Sequence, residues 1–288
     1  NSHPDLPVRR ALAVATALLV GGAGWAVAGV TVAAWARPLG AVGAGLGSGL
    51  VVALRPATVL RERVRELERG LPDALALVGR RVADGETVES ALGDVGETLP
   101  DPVGGVFETA ARRRETLRTG IRRAFCGDHG PLVHTPTARG RGVVTLLAVA
   151  AREGRPAGAI LVDEAERLDT LREHEQTARR QVAAITGTLS NTAAVFGPLV
   201  GGATVALAGR LDGLDATAVA GSGAALSPAT LGVAVGVYVL LLAVLLPTLA
   251  TALQYGFDRT LVGYRVGQTL LSATATFLLG VWATGLLV

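Results

Sequence analysis

The sequence predicts an all-α, polytopic membrane protein with about five transmembrane helices around a cytosolic helical-bundle domain. Three observations carry that reading. Half of the 288 residues are apolar, and the mean hydropathy is positive. The charges are concentrated: residues 55–180 hold 21 of the 27 basic residues and 20 of the 24 acidic ones. Finally, apolar residues recur at the 3.6-residue period of a helix, with no sustained two-residue alternation.

Ala11–Ala36 is uncharged and too long for a signal-peptide core, so it reads as a first span. Pro38–Leu54 is shorter and crosses if its flanking Arg side chains reach the interface. Only Arg37-Pro38 separates the two, which predicts a tight helical hairpin. Val182–Gly209, Thr230–Leu253 and Val266–Val288 supply three further spans. The expected organisation is an N-terminal transmembrane hairpin at 1–56, a cytosolic helical domain at 57–182 and a C-terminal transmembrane region at 183–288. Arg9, Arg10, Arg55, Arg61, Arg63, Arg65, Arg179, Arg180, Arg259 and Arg265 flank the spans on one side, whereas the 210–229 connection carries only Arg210. The positive-inside rule then places the N-terminus and the polar domain in the cytosol of a multi-pass protein of the cytoplasmic membrane. Gly pairs spaced by four, such as Gly43 with Gly47 and Gly197 with Gly201, permit close helix approach and read as packing inside the bundle.

Within the polar domain, Leu71, Ala74, Leu75, Val78 and Val82 line one helical face, with Pro72 placed in a first turn and a stop at Asp84-Gly85. Thr87 is the N-cap of a helix with Val88, Ala91, Leu92 and Val95 on its inner face. Pro100-Asp101-Pro102 breaks the chain, and a third helix is expected from Val106 through Phe125. Residues 126–142 read as a Gly/Pro-rich loop, Val143–Glu153 as a helix ending at Gly154, and a long helix from about Ala157 as running into the third span. Placing Gly85 over Gly154 aligns Leu77 with Leu146, Leu92 with Leu161, Asp94 with Asp163 and Leu99 with Leu168, an internal echo of one helical hairpin.

The composition also excludes chemistry. Every residue in the Lys+Arg count is Arg, so no Lys is present for a P-loop or a Schiff base. The single Cys126 forms no internal disulfide. Cys126, Asp128, His129 and His134 have spacings unlike closed zinc sites and read as a solvated loop. All four His lie outside the spans, as do Asp212 and Asp215, which removes the partners that intramembrane proteolysis needs; no mid-span ionisable group supports ion-coupled transport. We therefore expect no enzyme, no cofactor and no metal. The polar domain nearly balances its charges and is not read as a nucleic-acid binder. Its densest basic cluster, Arg112, Arg113, Arg114, Arg118, Arg122 and Arg123, is the candidate partner-contact surface, a solvated face near lipid headgroups being the alternative. Without Met, the chain reads as a fragment or a processed piece.

Two segments resemble a known family. Leu71-Pro72-Asp73-Ala-Leu-Ala-Leu-Val, followed by Ala83-Asp-Gly85-Glu-Thr-Val-Glu-Ser-Ala-Leu92, is similar to the opening hairpin of the type II secretion system F domain. Thr188-Leu-Ser-Asn191-Thr-Ala-Ala-Val-Phe-Gly-Pro198-Leu-Val200 is similar to the span that follows that domain in archaeal members. The resemblance covers about residues 57–255 and implies a platform protein of type IV pilus, archaellum, tight-adherence pilus or type II secretion machines. It implies partnership with a secretion ATPase, with prepilin-like filament subunits and with the bilayer. It makes Leu71, Pro72, Asp73, Gly85, Leu92, Asn191 and Pro198 structural motif residues. Members commonly carry two F domains and this chain carries one. It is therefore read as half of a split or truncated platform, joining another half as a homo- or hetero-oligomer, or as a single-domain type. The alternative function is a permease subunit of an ATPase-powered transporter, which leaves a polar domain of this size unexplained.

Overall fold

The computed structural model describes residues 5–287 except 33, 134, 136 and 212–226. Among the described residues the chain is all-α. Five of its helices are long and apolar enough to cross a membrane, and the protein is a multi-pass membrane protein. The helices are α1 (Asp5–Thr31), α2 (Arg37–Ala83), α3 (Val88–Thr98), α4 (Val103–Leu117), α5 (Ile121–Cys126), α6 (Ala138–Glu153), α7 (Pro156–Asn191), α8 (Gly197–Leu211), α9 (Pro228–Tyr255) and α10 (Arg259–Leu287). They form two compact units, residues 59–178 and residues 1–58 with 179–288. Both connections between the units run inside continuous helices, α2 and α7.

In the 59–178 unit, burial follows the helical period. Leu67, Leu71, Ala74, Leu75, Val78 and Val82 of α2 are buried against Val88, Ala91, Leu92 and Val95 of α3. The turn between them closes as a Schellman motif: Glu86 N–H donates to the Arg81 carbonyl and Gly85 N–H to that of Val82, each at 3.0 Å, with Gly85 at φ 104°. Thr87 caps α3 by accepting the Ser90 N–H at 3.2 Å. The second hairpin also turns on a glycine, by a different bond: Gly154, at φ 70° between α6 and α7, donates its N–H to the Ala150 carbonyl at 2.9 Å, and Leu147 and Leu161 are buried. The hairpins meet where Gly79 and Gly158 approach: a Cβ on Gly158 would sit 2.8 Å from the Gly79 carbonyl oxygen.

Three sequence expectations change here. Pro72 lies in the interior of α2, not in a first turn, because the buried stripe extends back to Leu67 and its burial outweighs the donor that Pro lacks. The third helix is two helices. Arg118 takes the left-handed conformation at φ 48° and ends α4, after which α5 turns back so that Phe125 meets Phe107 edge to face at 5.2 Å. The expected 126–142 loop ends early, since buried Thr137 caps α6 by accepting the Gly140 N–H at 3.2 Å and α6 starts at Ala138.

The membrane unit packs by other means. The α1–α2 hairpin closes through glycine: a Cβ on Gly40 would lie 2.5 Å from the Gly24 carbonyl oxygen, and one on Gly24 would lie 2.6 Å from that of Gly40. Gly202 of α8 likewise faces the backbone of α10 at Phe277 and Gly280. Large aliphatic side chains point outward, among them Leu19 at 76% exposure and Val30 at 88%, as lipid-facing positions should.

Candidate functional site

Between α7 and α8 the helix continues through one π turn, Thr192–Phe196. Pro198 explains it. Proline has no N–H to give the carbonyl four residues back and its ring crowds that carbonyl, which belongs to Ala194. The freed Ala194 oxygen is taken up by α10: Ser272 Oγ donates to it at 3.1 Å, and Thr276 Oγ1 lies at 2.8 Å, its one proton shared with the Ser272 carbonyl of its own helix. Gly197 N–H bonds back to the Thr192 carbonyl across the wider turn. A buried proline, a π turn and two hydroxyls on a neighbouring helix thus form one satisfied polar clasp among apolar spans.

Next to the clasp lies an open cleft of about 300 Å³ between α7, α9 and α10. Thr186, Ser190 and Asn191 line it from α7, Thr251 and Gln254 from α9, and Arg265, Gln268 and Thr269 from α10. Gln254 Nε2 donates to Thr186 Oγ1, tying α9 to α7. Thr186 passes its own proton to the Val182 carbonyl at 2.9 Å. Sequence reasoning missed this cleft. Its signal was a polar residue every third or fourth position on each span, 186 and 190, 251 and 254, 265 with 268 and 269.

The motif residues are structural, and they do not form one site. Leu71, Pro72 and Leu92 are buried in the 59–178 core, Asp73 is exposed on α2, and Gly85 forms its turn. Asn191 and Pro198 belong to the membrane unit, at the cleft and at the π turn. In the arginine cluster, Arg112 pairs with Glu108 at 3.3 Å and Arg114 with Glu89 at 3.2 Å. Arg113 is half-buried, Arg118 forms the left-handed turn, and Arg122 and Arg123 are exposed on α5. Two of the six therefore neutralise acids of the same unit.

A second polar network joins α2, α6 and α7. Thr137 Oγ1 donates to Glu68, whose carboxylate also lies 3.9 Å from Arg139, and Arg139 bonds Glu175. The hydrogen bond to Glu175 raises the pKa of Arg139. Cys126 ends α5 half-buried; burial pushes its thiol pKa up, against the opposing pull of Arg122 and Arg141. Asp128 and His129 are exposed nearby. His134, Asp212 and Asp215 lie outside the described residues.

No family model matches the chain, and neither a curated protein nor a solved structure matches it.

Proposed function

We propose that this chain is a non-catalytic platform protein of the cytoplasmic membrane. On it, type IV pilus-like filaments or type II secretion fibres would be assembled, with work supplied by a secretion ATPase and delivered to prepilin-like subunits. The observation that carries this reading is the continuity of α2 and α7, each of which begins in one unit and ends in the other. A motor acting on the charged unit then has two unbroken helical connections to the spans. The F-domain-like segments at 71–92 and 188–200 support the same role, and the missing Lys requires that P-loop work come from a partner. The Arg-rich flanks of the spans favour a cytosolic position for the 59–178 unit, within reach of such a motor. Partner contact is assigned to the exposed arginines of the Arg112–Arg123 region, facing an acidic surface, and a second platform half completes the assembly.

Inserting a flexible Gly-Ser segment after Gln181, inside α7, tests the coupling. Membrane insertion should persist while filament assembly or secretion is lost. Normal assembly by that variant would sink the reading. Affinity capture in mild detergent should bring down a secretion ATPase with filament subunits, whereas recovery of a soluble substrate-binding protein would favour a transporter.

A further inference from the structure

The cleft between α7, α9 and α10 has chemistry that the platform reading does not use. Eight of its lining residues are polar or charged and none is an acid. Most of the hydroxyl protons are committed: Thr251 donates to the Pro247 carbonyl at 2.6 Å and Thr269 to the Arg265 carbonyl at 2.9 Å, as Thr186 does to its own helix. Gln254 and Gln268 each give one amide N–H, to Thr186 Oγ1 and to the Tyr264 hydroxyl, which leaves three side chains wholly uncommitted: the Arg265 guanidinium, the Ser190 hydroxyl and the Asn191 amide. None of the three has a hydrogen bond or ion pair among the described residues. A forked cation in a cleft that also carries two uncommitted neutral donors, with no carboxylate in the lining, selects an anion with several oxygens.

The depth of the cleft narrows the choice. Arg265 stands six residues into α10, about 9 Å from its start at 1.5 Å per residue. Gln254 is next to last in α9, and Thr186 to Asn191 open the apolar stretch shared by α7 and α8. The same end of the unit carries interface residues: the Arg179 guanidinium lies 5.8 Å from the Tyr255 ring centroid, and Phe257, in the turn between α9 and α10, is 83% exposed. A cation here sits at headgroup level, where phosphates of the lipid lie and free solutes must compete with them.

We propose that this cleft binds the phosphodiester headgroup of an anionic phospholipid, with Arg265 holding the phosphate and Ser190 and Asn191 completing its hydrogen bonds. With no acid in the lining, a zwitterionic headgroup finds no partner for its cationic end. This site depends on the membrane spans alone and stands whether or not the chain assembles filaments.

The test uses the full chain in mild detergent, with native mass spectrometry of retained lipid. Phosphatidylglycerol, phosphatidylcholine of the same acyl length, and inorganic phosphate serve as probes. Phosphatidylglycerol should be retained about tenfold better than phosphatidylcholine, and Arg265→Gln should remove about that factor, the scale of one charge-assisted contact. Asn191→Leu, which changes no charge, should weaken retention severalfold. Arg259→Gln, outside the cleft lining, should leave it unchanged. Equal retention of the two lipids overturns the proposal, as does unchanged retention in both Arg265→Gln and Asn191→Leu. Displacement of phosphatidylglycerol by millimolar inorganic phosphate would mark a free-anion site and overturn the lipid assignment.

Discussion

The two units of this chain are both all-helical, yet they are held together by different forces. In the 59–178 unit, Leu67, Leu75, Leu92, Phe107 and Phe125 are almost fully buried, and charged pairs such as Arg81–Glu86 and Arg114–Glu89 lie at the surface. Water drives that arrangement, because each apolar side chain withdrawn from it is worth about 1.5–3 kcal/mol. In the membrane unit many large aliphatics face outward, and the interior combines Leu39, Val239, Leu270 and Phe277 with close-packed Gly and Ala and with buried Ser48, Thr251 and Thr274. Lipid tails solvate Leu as well as a protein interior does, so what remains is close backbone packing and hydrogen bonds that no water can replace. The balance shifts because the solvent has changed: outward-facing Leu and Val cost little in lipid, and glycine contacts and hydroxyls carry more of the packing.

Substitutions that exchange the two logics should discriminate most sharply. Phe107→Ala should cost about 3–5 kcal/mol, since it removes a buried ring and its contact with Phe125. Thermal melts of the full chain in detergent would show this as early loss of the 59–178 helices, and an unchanged melt would break the comparison. In the membrane unit the damaging change is addition. Gly40→Leu meets the Gly24 carbonyl and should cost about 1–3 kcal/mol, whereas Gly142→Leu on α6 meets nothing within 4 Å and should be neutral. Matching losses at the two glycines would contradict close packing as the reason.

Smaller effects sharpen the contrast. Thr137→Ala removes the α6 cap and the bond to Glu68, for about 1 kcal/mol in a denaturant titration. Thr276→Val should cost about 0.6 kcal/mol, typical of hydrogen bonds within membranes. Its cost should shrink in a Pro198→Ala background, where residue 198 regains an N–H to offer Ala194. A double-mutant cycle that finds the two independent would refute the clasp. The smallest expected signal is chemical. The raised pKa of Cys126 keeps its thiolate scarce at neutral pH, so maleimide labelling should be slow there and keep accelerating beyond the ordinary thiol range. Arg122→Gln removes a stabilising charge and should shift that profile further upward; a downward shift would contradict the assigned cause.

Much of this was legible in residue order, and the failures have physical causes. Thr87 as a cap and Gly85 and Gly154 as turns are local signals, since a side-chain oxygen and a positive φ act within a few residues. Pro72 misled because its local preference for a helix start yields to burial of Leu67 one turn earlier, a contact with elements distant in sequence. The Arg118 break was hidden for the same reason: the left-handed turn is stabilised by Phe125 reaching Phe107, and periodicity does not report that contact. The cleft escaped because polar residues on a single span read as tolerated exceptions, and only α7, α9 and α10 together make them face one space.

The sequence by itself determined the class of this protein: the number of helices able to cross a bilayer, the concentration of charge in one segment and the lack of lysine all depend on composition and spacing along the chain. Tertiary structure alone decided which glycines touch, how the Ala194 carbonyl is satisfied and where Arg265 is placed. Those outcomes depend on the distance between helices, and that distance is set by side chains far apart in the sequence.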